Sequence, residues 1–308
     1  METTFEHPDP LAACEQAFTS LSRDLIGKKK IKKLSDFVGR LPKNLIFPRY
    51  TLECPLTGRE NWGDIMFHID LHKENPLRDI SGLPKSWQAC SGWNQLAQFA
   101  REFSDALGVH HEIWTEFDVG SSATAPYKPS IFLETLNLKS EKVIAAAKKC
   151  ATFFGAESSI PVLQRCQSLL PEGVDIGVIA FMLSRPSNLV RVNLRGKEVN
   201  SKRIPKYLSA IGIADIPSSM MRALEQLEPL TSQIGLCLDI AGAQLKPKIG
   251  LEYYFGLLGV QQNEKLWNSC FDILEKECEI DVRKRTASLA WHGRDLQFIG
   301  NSPYAPHY

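Results

Sequence analysis

Between amphipathic helices, this chain repeatedly places short segments whose side chains alternate apolar and polar. Side chains on a strand point to opposite faces with period two, so each segment can be sorted into two faces by parity. In Asp64 to Leu71, Ile65, Phe67, Ile69 and Leu71 share one face, while Asp64, Met66, His68 and Asp70 share the other. In Leu189 to Arg195, Val190, Val192 and Leu194 oppose Leu189, Arg191, Asn193 and Arg195. Ile234, Leu236, Leu238 and Ile240 oppose Gly235, Cys237, Asp239 and Ala241, and in the segment that follows Ile249, Leu251, Tyr253 and Phe255 oppose Lys248, Gly250, Glu252 and Tyr254. A chain built this way must cover its apolar faces with helices and leave a polar face elsewhere.

The segments come in pairs. Arg49 to Cys54 with Asp64 to Leu71, Glu112 to Asp118 with Ser130 to Leu136, Val174 to Ser184 with Leu189 to Arg195, and Ile234 to Ala241 with Lys248 to Phe255 each read as a hairpin. Helices are expected over 10–26, 31–41, 92–107, 140–154, 160–170, 201–211, 217–228, 263–278 and 281–291, on apolar stripes such as Trp93, Leu96, Ala97, Ala100 and Phe103. The unit recurs roughly every 60 to 70 residues with no low-complexity linker, so residues 1–308 are expected to form a single domain with internal repetition.

Composition excludes several classes. With 36 Lys and Arg against 35 Asp and Glu, no global charge draws the chain to nucleic acid or to an anionic membrane surface. There is no uncharged apolar stretch of about 18 residues and no basic-then-apolar start, so a cytoplasmic location is expected. The eight cysteines have no zinc-site spacing and read as small buried hydrophobes. Lys28 to Lys33 reads as a solvated helix edge, and the Lys128-Pro129 and Lys246-Pro247 steps as turn formers. Hydrolase, P-loop and dinucleotide motifs are missing from the sequence.

The polar faces admit two architectures. An open sheet has helices on one side and water on the other; a closed or strongly curved sheet removes its edges and turns the polar faces into a lumen. The paired helices between hairpins favour the second, an α+β fold with an antiparallel β-barrel inside and helices outside. The lumen would then hold Arg49, Thr51, Glu53, His68, Asp70, Trp114, Glu116, Asp118, Glu134, Arg191, Asn193, Arg195, Asp239, Lys248, Glu252 and Tyr254.

In layout, over about residues 10–291, this resembles the ABBA-type prenyltransferases, whose helix-strand-strand-helix units surround an antiparallel barrel. The resemblance implies transfer of a prenyl group from an allylic diphosphate co-substrate to an aromatic small molecule or a peptide side chain. It implies Arg49, Arg191, Arg195 and Lys248 as the diphosphate ligands, Trp114 and Tyr254 as shields of the allylic cation, and Glu116 as the base. Guanidinium and ammonium groups would stabilise the leaving diphosphate, aromatic faces the cation, and a carboxylate would take the proton released on rearomatisation.

Two features depart from that layout. Acids outnumber bases in the lumen, which suits a diphosphate only if Mg²⁺ held by Asp70 or Asp239 reverses the sign. Five units would close such a barrel, yet after residue 291 only Leu296 to Ile299 could supply strand, so the barrel is expected to stay open or to be closed by a second copy or another partner. Arg191 and Arg195, on one face of one strand, suit an anion clamp or pairing with acids across the sheet equally well. The alternative to transfer is therefore a non-catalytic accessory protein that holds a peptide on its polar sheet face.

Overall fold

The computed structural model describes residues 14, 18, 21–41, 50–57, 63–70, 76–103, 112–119, 128–136, 138–185, 189–254 and 264–291. Eight strands form one antiparallel sheet in which each strand pairs with the next in sequence. They are β1 (Tyr50–Glu53), β2 (Asp64–Asp70), β3 (Glu112–Phe117), β4 (Pro129–Glu134), β5 (Asp175–Met182), β6 (Leu189–Arg195), β7 (Gln233–Ala241) and β8 (Gln244–Tyr254). The helices are α1 (Lys28–Val38), α2 (Lys85–Gln88), α3 (Ser91–Phe103), α4 (Ser140–Phe154), α5 (Ile160–Ser168), α6 (Ile204–Ile211), α7 (Ser218–Leu227), α8 (Glu264–Cys278) and α9 (Val282–Trp291). The fold is α+β, and no described helix is long and apolar enough to cross a membrane.

Register carries the parity argument across the sheet. Leu52, Ile65 and Phe117 stand in one row, as do Leu133, Ile179, Val192, Leu238 and Ile249 in another. These residues join the buried faces of α1, α3, α4, α5 and α6 in the main core. Much of the fastening is aromatic: Phe37 of α1 stacks on Trp87 of α2, Trp87 on Trp93 of α3, and Trp93 on Phe117 of β3, with centroids 5.2–5.8 Å apart. One ladder of rings thus pins three helices to one strand.

The sheet is curled. Laid flat, β1 and β8 would be seven strand spacings apart, about 33 Å, too far for their charges to interact. Instead the carboxyl of Glu53 on β1 is repelled by that of Glu252 on β8 and attracted by Arg191 on β6. Among the described residues β1 and β8 do not pair, so the curl is open along that seam.

Several local expectations are corrected. The first helix does not run to residue 26: residues 21–27 form turns, in which the Ser22 carbonyl accepts the N–H groups of Leu25 and Ile26 and the Ser22 hydroxyl that of Asp24. Leu21, Leu25 and Ile26 have the spacing of a helical stripe, but they bury a turn. The next helix starts at Lys28 rather than 31, without a side-chain cap, and is held by burial of Leu34, Phe37 and Val38. Lys246 and Pro247 lie inside β8, not in a turn; among the described residues β8 pairs with β7 alone, and a register shift beside Pro247 accommodates the missing N–H. Five of the eight free cysteines are buried, as expected of small hydrophobes.

Gly196, directly after β6, has φ 148°, and a Cβ there would collide with the backbone of Gly173 and Val174. Gly196→Ala should therefore lower unfolding stability by about 2–3 kcal/mol, read from a urea titration at unchanged denaturant slope. A change below 0.5 kcal/mol would show that the two chain segments can part at no cost.

Candidate functional site

The concave face of the curled sheet is a trough in two halves. β1, β2 and β3 supply an acidic end. Glu53 pairs in register with Asp64, and Glu116 follows Trp114 along β3 on the same face. Oxygens of Asp64, Glu116 and Asp118 all come within 4.8 Å of one another, an arrangement able to offer a hard cation oxygen ligands. Glu116 is buried, and burial followed by repulsion from Glu53 and Asp118 pushes its carboxyl up to about 9. Arg185, just past β5, partly offsets this from 3.6 Å. At neutral pH Glu116 therefore keeps its proton and shares a hydrogen bond with Asp118. Glu53 still reaches solvent, but the surrounding curl, then Asp64 and Glu252, raises its carboxyl too. Lys33 of α1 lies close enough to Asp64 to be drawn toward its charged form, although burial prevails and lowers it.

The other half lies on β6, β7 and β8. Arg191 forms two hydrogen bonds to Asp239, 2.8 Å from Nε and 3.1 Å from Nη2. Burial opposes the guanidinium charge, but those bonds outweigh it and hold Arg191 protonated. Next along β6, Arg195 donates to Asn193 Oδ1 at 3.0 Å, approaches Glu252 at 3.9 Å and lies over the Tyr254 ring, 4.7 Å from its centroid. The Tyr254 hydroxyl and the Cys237 thiol both donate to Glu252, and Asn193 Nδ2 donates to Cys237 Sγ. Burial, then the Glu252 charge, pushes both the phenol and the thiol up, so both stay protonated. Glycines make the room: a Cβ on Gly235 would press on the Asn193 side chain and the Tyr254 ring, and one on Gly177 on Arg195.

Between the halves the floor is less polar. Val178, Ala180 and Met182 of β5 are buried, and Phe132 of β4 is half-buried beside Trp114 in register. Trp114 Nε1 donates to Glu134 at 2.9 Å, and its ring stands edge-on to His68 at 4.9 Å.

The structure thus brings Glu116, Trp114, Arg191, Arg195, Asp239 and Tyr254 onto one concave face, but not into one cluster. Arg191 and Arg195 are each engaged by an acid of their own face, which is the pairing alternative that the sequence left open. Asp239, read as a metal ligand, is the partner of Arg191. Lys248 is exposed on β8 and forms no ion pair among the described residues. Arg49 lies outside the described residues, as does the side chain of Asp70, whose backbone closes β2. Sequence reasoning left Arg185 in a turn and gave Asp64 and Cys237 no role, though parity already put the last two on the polar face.

No protein-family model matches the chain, and no curated protein matches it.

Proposed function

We propose that the chain is a binding protein that takes an extended, basic peptide segment into the trough. One observation carries this reading: Arg191 and Arg195 are already engaged by acids of the same face, while carboxyls remain in excess. Glu53, Asp64, Asp118, Glu134, Asp239 and Glu252, with the protonated Glu116, line the described trough against Arg185, Arg191, Arg195 and the exposed Lys248. An anion entering there would have to displace Asp239 from two good hydrogen bonds, whereas a cationic side chain meets acids at both ends. The half-buried aromatic rings between them suit the aliphatic stem of a lysine or arginine.

The test is calorimetric titration with an oligolysine and an oligoglutamate peptide of about ten residues. Oligolysine should bind, more weakly as salt rises, and Asp118→Asn should weaken it several-fold. Preference for oligoglutamate, or no heat from either, would sink the proposal.

Prenyl transfer is the second reading, supported by Trp114, Phe132 and Tyr254 facing the same concavity and by the similarity of repeated hairpins and outer helices to an ABBA-type barrel. It would use an allylic diphosphate, with Mg²⁺ most readily accommodated by Asp64, Glu116 and Asp118. It requires Arg191 and Arg195 to leave their present partners, and Glu116 to lose a proton that it holds at neutral pH.

A further inference from the structure

The sheet runs from β1 to β8 without joining its ends, and one pair of helices touches both sides of that seam. On the β8 side, α8 packs against α7 through Cys270, Ala223 and Leu227, with Tyr253 of β8 at the edge of the same group. Arg222 of α7 and the buried Glu277 of α8 meet at 2.8 Å. On the β1 side, Ile280 forms an antiparallel bridge with Thr57, just beyond β1. Asp281 N–H donates to the Leu56 carbonyl at 2.9 Å, and Lys284 Nζ donates to the carbonyls of Pro55 at 2.7 Å and Thr57 at 3.4 Å. Glu279, with φ 54°, is the one left-handed non-glycine residue among those described, and this turn directs Ile280 and Asp281 at the strand end.

We infer that α8 and α9 form a clasp across the β8–β1 seam, which detaches from β1 as a unit and so widens the trough.

Three features make detachment cheaper than unfolding. The apolar group under α8 is distinct from the main core, meeting it at Tyr253, and among the described residues the pair contributes only Ala287 to that core. Small satellite clusters open at lower free energy than the core they border. The hold on β1 is a few polar bonds at one strand end, with Ile280 and the Lys284 side chain as the buried groups that detachment exposes there. Arg285 of α9 binds both Glu275 and Asp272 of α8, so the two helices move together. Across the seam, Glu53 and Glu252 repel each other, a force that the clasp restrains.

That the opening serves ligand entry rests on the binding reading above; the opening itself does not. Hydrogen exchange on the full chain tests it. Peptic fragments covering 50–57 and 279–291 should exchange together, at least tenfold faster than fragments from β5 to β7, and Lys284→Met should speed both sets by a further several-fold while leaving β5 to β7 unchanged. Should Lys284→Met fail to fold, Arg285→Ala should instead uncouple 282–291 from α8. Exchange of 50–57 at the rate of β5 to β7 in every variant that folds would overturn the clasp. The oligolysine association rate is the separate arm: if it does not rise in the loosened variant while exchange does, the clasp opens but does not gate the trough.

Discussion

Glu116→Gln should raise unfolding stability by about 2–4 kcal/mol at pH 8 and change it by less than about 1 kcal/mol at pH 4. The sign follows from where the proton sits. Below the ordinary carboxyl range, folded and unfolded chains both hold it, and pH has no leverage. From about 4.5 up to about 9 the unfolded chain has released the proton while the folded chain retains it, so rising pH favours unfolding. Above about 9 both states are ionised and the penalty is complete. Glutamine fills the same volume without a charge to bury, so it removes this pH slope. Glu53, also raised, keeps a smaller slope of the same sign in the variant. Thermal melts of both proteins from pH 4 to 9 check the result: parallel curves would mean that Glu116 ionises normally in the folded chain.

Trp93→Ala should cost about 3–5 kcal/mol. The indole is fully buried between Trp87 at 5.8 Å and Phe117 at 5.2 Å, so truncation opens a large cavity and breaks the ladder that reaches Phe37. Loss of α1 and α2 packing should leave the sheet edge β1–β3 poorly held, and with it the acidic end of the trough. Trp93→Phe keeps a ring in the stack and should recover more than half of the loss. Urea titrations of the three proteins give the comparison; a deficit below 1.5 kcal/mol for the alanine variant would show that the stack is not what fastens these helices.

The strand faces were legible because period-two alternation is a property of the backbone. Ile65, Phe67 and Ile69, or Val190, Val192 and Leu194, could be assigned to the core before any packing was known, and all are buried. The curl needed the structure, since nothing local in Glu53 or Glu252 indicates that residues about 200 positions apart face each other. Partner choice was equally hidden: Arg191 and Asp239 are aligned only through the β6–β7 register. Leu21 to Ile26 misled because a buried turn and a helix can show the same apolar spacing over one turn. The seam was half legible. The open edges follow the unpaired end strands expected of the pattern, but the contact of Ile280 and Lys284 with the end of β1 joins segments more than 220 residues apart in sequence.

The central claim, that Arg191 and Arg195 are committed to acids of the trough itself, is tested most directly by calorimetric titration with geranyl diphosphate in the presence of Mg²⁺. The account predicts no heat at millimolar ligand for the wild-type chain, and the appearance of weak anion binding in Asp239→Asn, where Arg191 is released from its carboxylate. Binding by the wild type that is lost in Arg191→Met would contradict it, and would place an anion site where the ion pair now stands.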